Sequence, residues 1–298
     1  MSLARRLAAV PVAFLLAGLL VACGGDGGGE TTDTTTEVTE VPTTQATATS
    51  VSITAKDYSF DVPATFKGGL VKLSYANAGK EPHFAAFAKI AAGKSLADVK
   101  ATLTAPPSAT PPSGPPPFEN VAAFPTADPG VSGAMAVNLP AGSYAFYCLI
   151  PAADGVPHAA KGMIQEVTVS QGTDGALPAS AGTVKAVDFG LSGVPALKAG
   201  SNTVRLSNQG KQLHEINLVE LNSGKTLDDL VAWAKEESGP PPVRFLTGAA
   251  VKPGSDATAE LDLVVGRNYA FVCMIPDFLG DFAPHITKGM RTSVITVT

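Results

Sequence analysis

The sequence predicts an all-β protein made of two tandem β-sandwiches, each carrying one short inserted helix. Three observations predict it: short apolar runs punctuated by Gly, Pro and Asn, one clear helical period, and an internal repeat filling nearly everything after residue 50. The 298 residues, 45% hydrophobic and 16% charged, suffice to bury two cores. A formal charge of -5 without any long basic run argues against nucleic acid as a partner.

Residues 1–22 read as an export signal, with Arg5 and Arg6 ahead of a short apolar stretch ending in small residues. Leu20-Val21-Ala22-Cys23 resembles the bacterial lipobox, which implies cleavage before Cys23 and lipidation of that cysteine. An ordinary cleaved signal is the alternative. Cleavage before Cys23 would remove two arginines and no acid, taking the formal charge from -5 to -7. Residues 23–50 hold GGDGGG and ten threonines with almost no large apolar residue, so they cannot offset their ordering entropy. A flexible tether is expected there. No later segment approaches the ~20 apolar residues of a membrane span, so the rest is expected to be soluble, lipid-anchored to the cell membrane on its extracytoplasmic face.

The repeat fixes the order of the remaining elements. YANAGKEPH from Tyr75 answers LSNQGKQLH from Leu206, and GKSLADV from Gly93 answers GKTLDDL from Gly224, both at an offset of 131. YAFYCLIP from Tyr144 answers YAFVCMIP from Tyr269 at 125, and PHAAKGM from Pro157 answers PHITKGM from Pro284 at 127. The copies cover residues 51–170 and 182–298, with 171–181 as linker. Runs such as 70–75 and 203–207 read as strands. Leu227, Leu230, Val231 and Ala234 fall at i, i+3, i+4 and i+7, a helix over 226–237. Ser95 with Asp98, and Thr226 with Asp229, have the spacing of helix N-caps with an acid at N3. The Gly-Lys-Ser and Gly-Lys-Thr tripeptides at Gly93 and Gly224 lack the earlier glycine of a phosphate loop, Ala88 and Val219 standing there. Residues 106–117, rich in proline, read as an extended loop, with PxxP docking as the other reading.

The chain has four histidines, and beyond Cys23 it has two cysteines. All six repeat with two methionines, so the first copy owns His83, Cys148, His158 and Met163, and the second His214, Cys273, His285 and Met290. Two imidazoles, a thiolate and a weak thioether suit a blue-copper site, because soft sulfur stabilises Cu(I) while imidazole accepts both oxidation states. Methionine is a poor zinc ligand. By the two-residue period Tyr144, Phe146 and Cys148 share one strand face, which points the thiol inward. A Cys148–Cys273 disulfide is the competing use of the thiols in an oxidising compartment.

Gly142-Ser-Tyr-Ala-Phe-Tyr-Cys148, followed by His158-Ala-Ala-Lys-Gly-Met163 and a terminal strand, resembles the C-terminal signature of cupredoxins such as plastocyanin. Asn77 and Asn208, six residues before the first histidine of each copy, are plastocyanin-like too. The resemblance implies Greek-key sandwiches and up to two type 1 coppers, one held by His83, Cys148, His158 and Met163, the other by His214, Cys273, His285 and Met290. The loops between cysteine and second histidine, nine and eleven residues, are longer than in small blue proteins. An apolar patch on each of these loops, with the histidine edge at its centre, would be an electron port.

These readings imply a membrane-anchored electron carrier with a redox protein as partner. Multicopper oxidases and nitrite reductases need further histidines, and none remain, so an enzyme is not expected. A copper-binding or trafficking lipoprotein without redox duty, and a metal-free interaction module on the same fold, are the alternatives.

Overall fold

In the computed structural model, which describes residues 47–105, 114–236 and 239–297, the first copy opens with β1 (Thr49–Lys56) and β2 (Ser59–Asp61). It continues with β3 (Thr65–Asn77), β4 (His83–Ile90), α1 (Leu96–Leu103), β5 (Phe118–Ala127), β6 (Ser132–Leu139), β7 (Gly142–Tyr147) and β8 (Ile164–Thr173). The second repeats the series as β9 (Thr183–Val187), β10 (Gly190–Ser192), β11 (Gly200–Asn208), β12 (His214–Leu221), α2 (Leu227–Glu236), β13 (Val243–Val251), β14 (Asp256–Leu263), β15 (Asn268–Val272) and β16 (Ile295–Thr296). The expected signal peptide, Cys23, most of the tether and most of the Pro-rich loop lie outside the described residues. Residues 49 and 50, expected in the tether, already belong to β1, and residues 171–173 of the expected linker belong to β8.

Each copy is a two-layer sandwich. In the first, β1, β3 and β6 form one layer, and β8, β7, β4 and β5 the other, with β3 also pairing β8 where the layers meet. β6 returns beside β3 and β7 beside β4, the crossed connections of a Greek key. In the second copy the layers are β10-β9-β11-β14 and β16-β15-β12-β13. The fold is all-β and cupredoxin-like, with two short helices.

Alternation along the strands decides which side chains fill the interior. Ala85 and Phe87 of β4, with Tyr144 and Phe146 of β7, enter the main core, while Ala86, Ala88, Ala145 and Tyr147 turn to the outer face. There α1 covers them with Val99, and α2 lays Leu227, Leu230 and Ala234 over Val219, Phe245, Ala270 and Val272. Both helices start as the sequence predicts. The Ser95 hydroxyl accepts from the Asp98 amide at 3.3 Å and the Thr226 hydroxyl from the Asp229 amide at 3.1 Å, while each carboxylate accepts back from the cap amide at 2.8 Å.

Spacing along the chain does not foretell how the copies meet. β6 pairs antiparallel with β14, from Ala134↔Glu260 to Val137↔Ala257, and β5 pairs antiparallel with β13 through Ala122↔Val251 and Ala123↔Ala250. Both layers therefore run unbroken from one copy into the other, and the two copies form one compact unit. Four strand edges that two isolated sandwiches would expose are paired. Among the described residues, no helix is long and apolar enough to cross a membrane.

Candidate metal centres

The turn between β3 and β4 is built to present a histidine. Asn77 donates through Nδ2 to the carbonyls of Glu81 and Ala127, both at 2.9 Å, and accepts from the Gly79 amide at 2.9 Å, which bends the chain back so that His83 starts β4. Asn208 does the same for His214 through Gln212, Val251 and Gly210 at 2.8, 2.7 and 2.9 Å. The other candidate ligands lie past the end of β7 or β15. The Cys148 amide donates to the Met163 carbonyl at 3.1 Å and the Met163 amide to the His158 carbonyl at 2.9 Å. Cys273, Met290 and His285 repeat this at 3.1 and 3.1 Å.

The long loops do not loosen this frame. Pro151 bridges Pro157, and Pro276 bridges Pro284, while the second histidine of each copy donates its amide to Ile150 or Ile275, at 3.0 and 2.9 Å. Extra length is spent beyond those bridges, away from the ligands.

Six of the eight expected residues gather into two clusters. The donor atoms of His83, Cys148 and His158 lie within 4.8 Å of one another, as do those of His214, Cys273 and His285, and all six side chains are fully buried. In the first centre His83 Nδ1 and His158 Nδ1 are 3.0 Å apart, and Cys148 Sγ is 3.6 Å from His158 Nδ1. In the second, Cys273 Sγ is 3.3 Å from His285 Nδ1. Met163 and Met290 are fully buried and joined by backbone to both neighbouring ligands. Both cysteines are free and belong to different centres, so the disulfide reading falls.

The electrostatics suit a cation. Burial pushes the Cys148 thiol up to about 12 and holds Cys273 well above its usual range, although the amides of Phe84 and Ile150, and of Glu215 and Ile275, point at the two sulfurs. Thiols so placed ionise when a metal replaces the proton. Burial also lowers His83 and His214, and takes His285 down to about 4 with help from His214, which favours the neutral, metal-binding form of these three rings. His214 Nδ1 is buried without any hydrogen-bond partner, an acceptor that a cation would satisfy. Donor set, burial and convergence fit one type 1 copper at each centre, up to two in the chain.

Sequence reasoning missed the groups behind the ligands. Asp57 Oδ1 lies 2.8 Å from His83 Nε2, and Asp188 Oδ1 lies 2.9 Å from His214 Nε2; each bond keeps the ring proton on Nε2 and leaves Nδ1 free to ligate. The next residue covers the second histidine, Tyr58 over His158 at 4.8 Å and Phe189 over His285 at 5.3 Å. Asp57-Tyr58 and Asp188-Phe189 stand 131 apart, the offset of the first histidines, so extending the repeat upstream would have found them. These lids also correct the expected electron port, since both second histidines are fully buried and neither has an open edge.

No protein-family model and no curated protein matches the chain. Solved structures similar to it include auracyanin from Roseiflexus castenholzii, at 22% identity over 41% of this chain and 98% of that one, with a TM-score of 0.29. Another is copper nitrite reductase from Nitrosomonas europaea, at 16% identity over 85% of this chain and 94% of that one, with a TM-score of 0.24. An azurin from Methylomonas sp. strain J matches at 12% identity over 42% and 99%, with a TM-score of 0.28. At such TM-scores the reading of the centres rests on their own geometry. That geometry and the strand order define a cupredoxin-like fold with two buried His-Cys-His clusters whose donors fit copper, each joined by backbone hydrogen bonds to a buried methionine.

Proposed function

We propose that this chain is a one-electron carrier using two type 1 copper centres. The observation that carries the reading is the doubled, fully buried His-Cys-His cluster in which each first histidine is already oriented by a carboxylate. Copper supplies a reversible Cu(II)/Cu(I) couple when bound. The chain holds the donors in one arrangement: the Asp57 and Asp188 carboxylates orient imidazoles, amides support the sulfurs, and Tyr58 and Phe189 exclude water. Little needs to move between oxidation states, which is what a carrier requires. Met163 and Met290 would supply the fourth, weakly held donor at each centre.

All four histidines of the chain lie in these two clusters, leaving none for a further copper centre of the kind that reduces oxygen or nitrite. This favours a carrier over an enzyme. Phe278, Leu279 and Phe282, at 55, 73 and 65% exposure on the loop ahead of His285, form an apolar patch suited to a transient redox partner. We further propose lipidation at Cys23 and an extracytoplasmic, membrane-held position, which rest on the N-terminal sequence.

Titrating the full chain with Cu(II) tests the carrier. An intense thiolate-to-copper band that saturates at two equivalents, bleaches with ascorbate and returns on air oxidation is expected. Cys148→Ser and Cys273→Ser should each remove half of it. Copper bound without a reversible band would favour a trafficking role.

A further inference from the structure

The copies match at every ligand yet differ behind the second histidine. In the first centre His158 Nε2 lies 2.7 Å from Glu81 Oε2, and the Tyr58 hydroxyl donates to Glu81 Oε1 at 3.1 Å. The counterpart of Glu81 at the shared offset of 131 is Gln212, which faces away. Its Nε2 donates to Asp277 Oδ1 at 2.8 Å, and its Oε1 accepts from the Leu279 amide at 3.3 Å. His285 Nε2 is left buried with no partner. Other neighbours correspond: Asp57 answers Asp188, and Lys161 over the Tyr58 ring answers Lys288 over that of Phe189. That charge-bearing hydrogen bond to the second histidine is one difference between the centres, and Glu215, standing where the first copy has Phe84, is another.

We propose that Glu81 is a positioning residue that locks His158 from outside and biases the first centre toward Cu(II), so that the duplicated centres are a tuned pair rather than two equal stores. The inference rests on the copper reading above. A carboxylate accepting from a ligand imidazole raises the ligand's basicity, and its charge, little screened beside a buried site, favours the more positive ion. In the Cu(II)/Cu(I) couple the copper takes one electron from an external reductant; no proton or bond is transferred. Glu215 places a second carboxyl near Cys273, with its oxygen on the Met274 amide at 2.7 Å, so the effect of Glu81 is to be read within the first centre alone.

The test uses the full-length Cys273→Ser chain, in which only the first centre binds type 1 copper, titrated spectroelectrochemically. Glu81→Gln keeps an acceptor for His158 and removes the charge. The thiolate band should persist while the Cu(II)/Cu(I) equilibrium moves about tenfold toward Cu(I), a positive shift of about 59 mV. Tyr58→Phe, which frees the carboxylate of one donor, should move it the opposite way. Glu166→Gln, a change at an exposed carboxyl on β8, should leave it unmoved. An unchanged potential in Glu81→Gln with the band intact, or an equal shift in Glu166→Gln, overturns the proposal. If Glu81→Gln loses the band, the sign of the Tyr58→Phe shift decides, and no shift or a positive one overturns it. If the Cys273→Ser parent shows no band at all, the copper reading fails and takes this inference with it.

Discussion

Gly79 and Gly210 show how tightly the carboxylate-histidine pairs are set. A Cβ at either position would drive into the aspartate and the imidazole it supports, Asp57 with His83 or Asp188 with His214. Gly79→Ala is therefore expected to abolish copper binding at the first centre and Gly210→Ala at the second, each halving the thiolate band in a Cu(II) titration. Protonation gives a second expectation, for the metal-free chain. His83, His214 and His285 are all lowered by burial, the last to about 4, so the unfolded chain takes up protons first as the pH falls below about 6.5. Stability should drop from there toward pH 4. Glu215 acts in the opposite direction, because burial raises it to about 7 and the unfolded chain releases its proton first. Stability should therefore also decline as the pH rises from about 4.5 through 7. Between about 4.5 and 6.5 the two oppose each other, so urea midpoints across pH 4–8 read their sum, and Glu215→Gln should steepen the loss of stability toward acid pH and flatten the decline toward pH 7.

At the scale of elements, the helices are anchored by their caps as much as by burial. α1 is short and buries only Val99, so its reciprocal bonds between Ser95 and Asp98 carry a large share of its order. Ser95→Ala is expected to cost about 1 kcal/mol in chemical denaturation without changing the copper spectrum, since α1 packs into the outer apolar cluster, which holds none of the candidate ligands. The caps, the α2 face and the inward direction of Cys148 are all local patterns, and all were legible in the sequence. The candidate ligands were legible for another reason: duplication turned eight scattered residues into two matching series. Glu81 was not, because a carboxyl two residues before a histidine has no spacing signature. Its partner, His158, is 77 residues away in sequence and meets it only after β3 and β7 are packed.

For the whole molecule, the shared layers predict cooperative behaviour. β5 with β13 and β6 with β14 join the copies by backbone hydrogen bonds, with small residues such as Ala122, Ala123, Ala249 and Ala250 at one seam. Calorimetry of the full chain should show one transition rather than two. Ala250→Glu, which buries an unpaired charge at the seam, should destabilise the whole unit by about 3–5 kcal/mol, measured by urea unfolding. Either copy expressed alone should self-associate through its uncovered β5 and β6, or β13 and β14, edges in sedimentation.

By itself the sequence determined the all-β class, the duplication, the helix starts and the candidate ligands, because strand period and cap spacing are local patterns and the repeat can be read by laying one copy against the other. Tertiary structure alone decided that the copies share both sheets, that Tyr58 and Phe189 close over the second histidines, and that Glu81 reaches its histidine while Gln212 turns to Asp277. Each of these depends on which distant segments come into contact when the core closes. Pairing of edge strands and capture of a side-chain carboxyl are settled by shape and burial across the molecule, and no local pattern of residues encodes them.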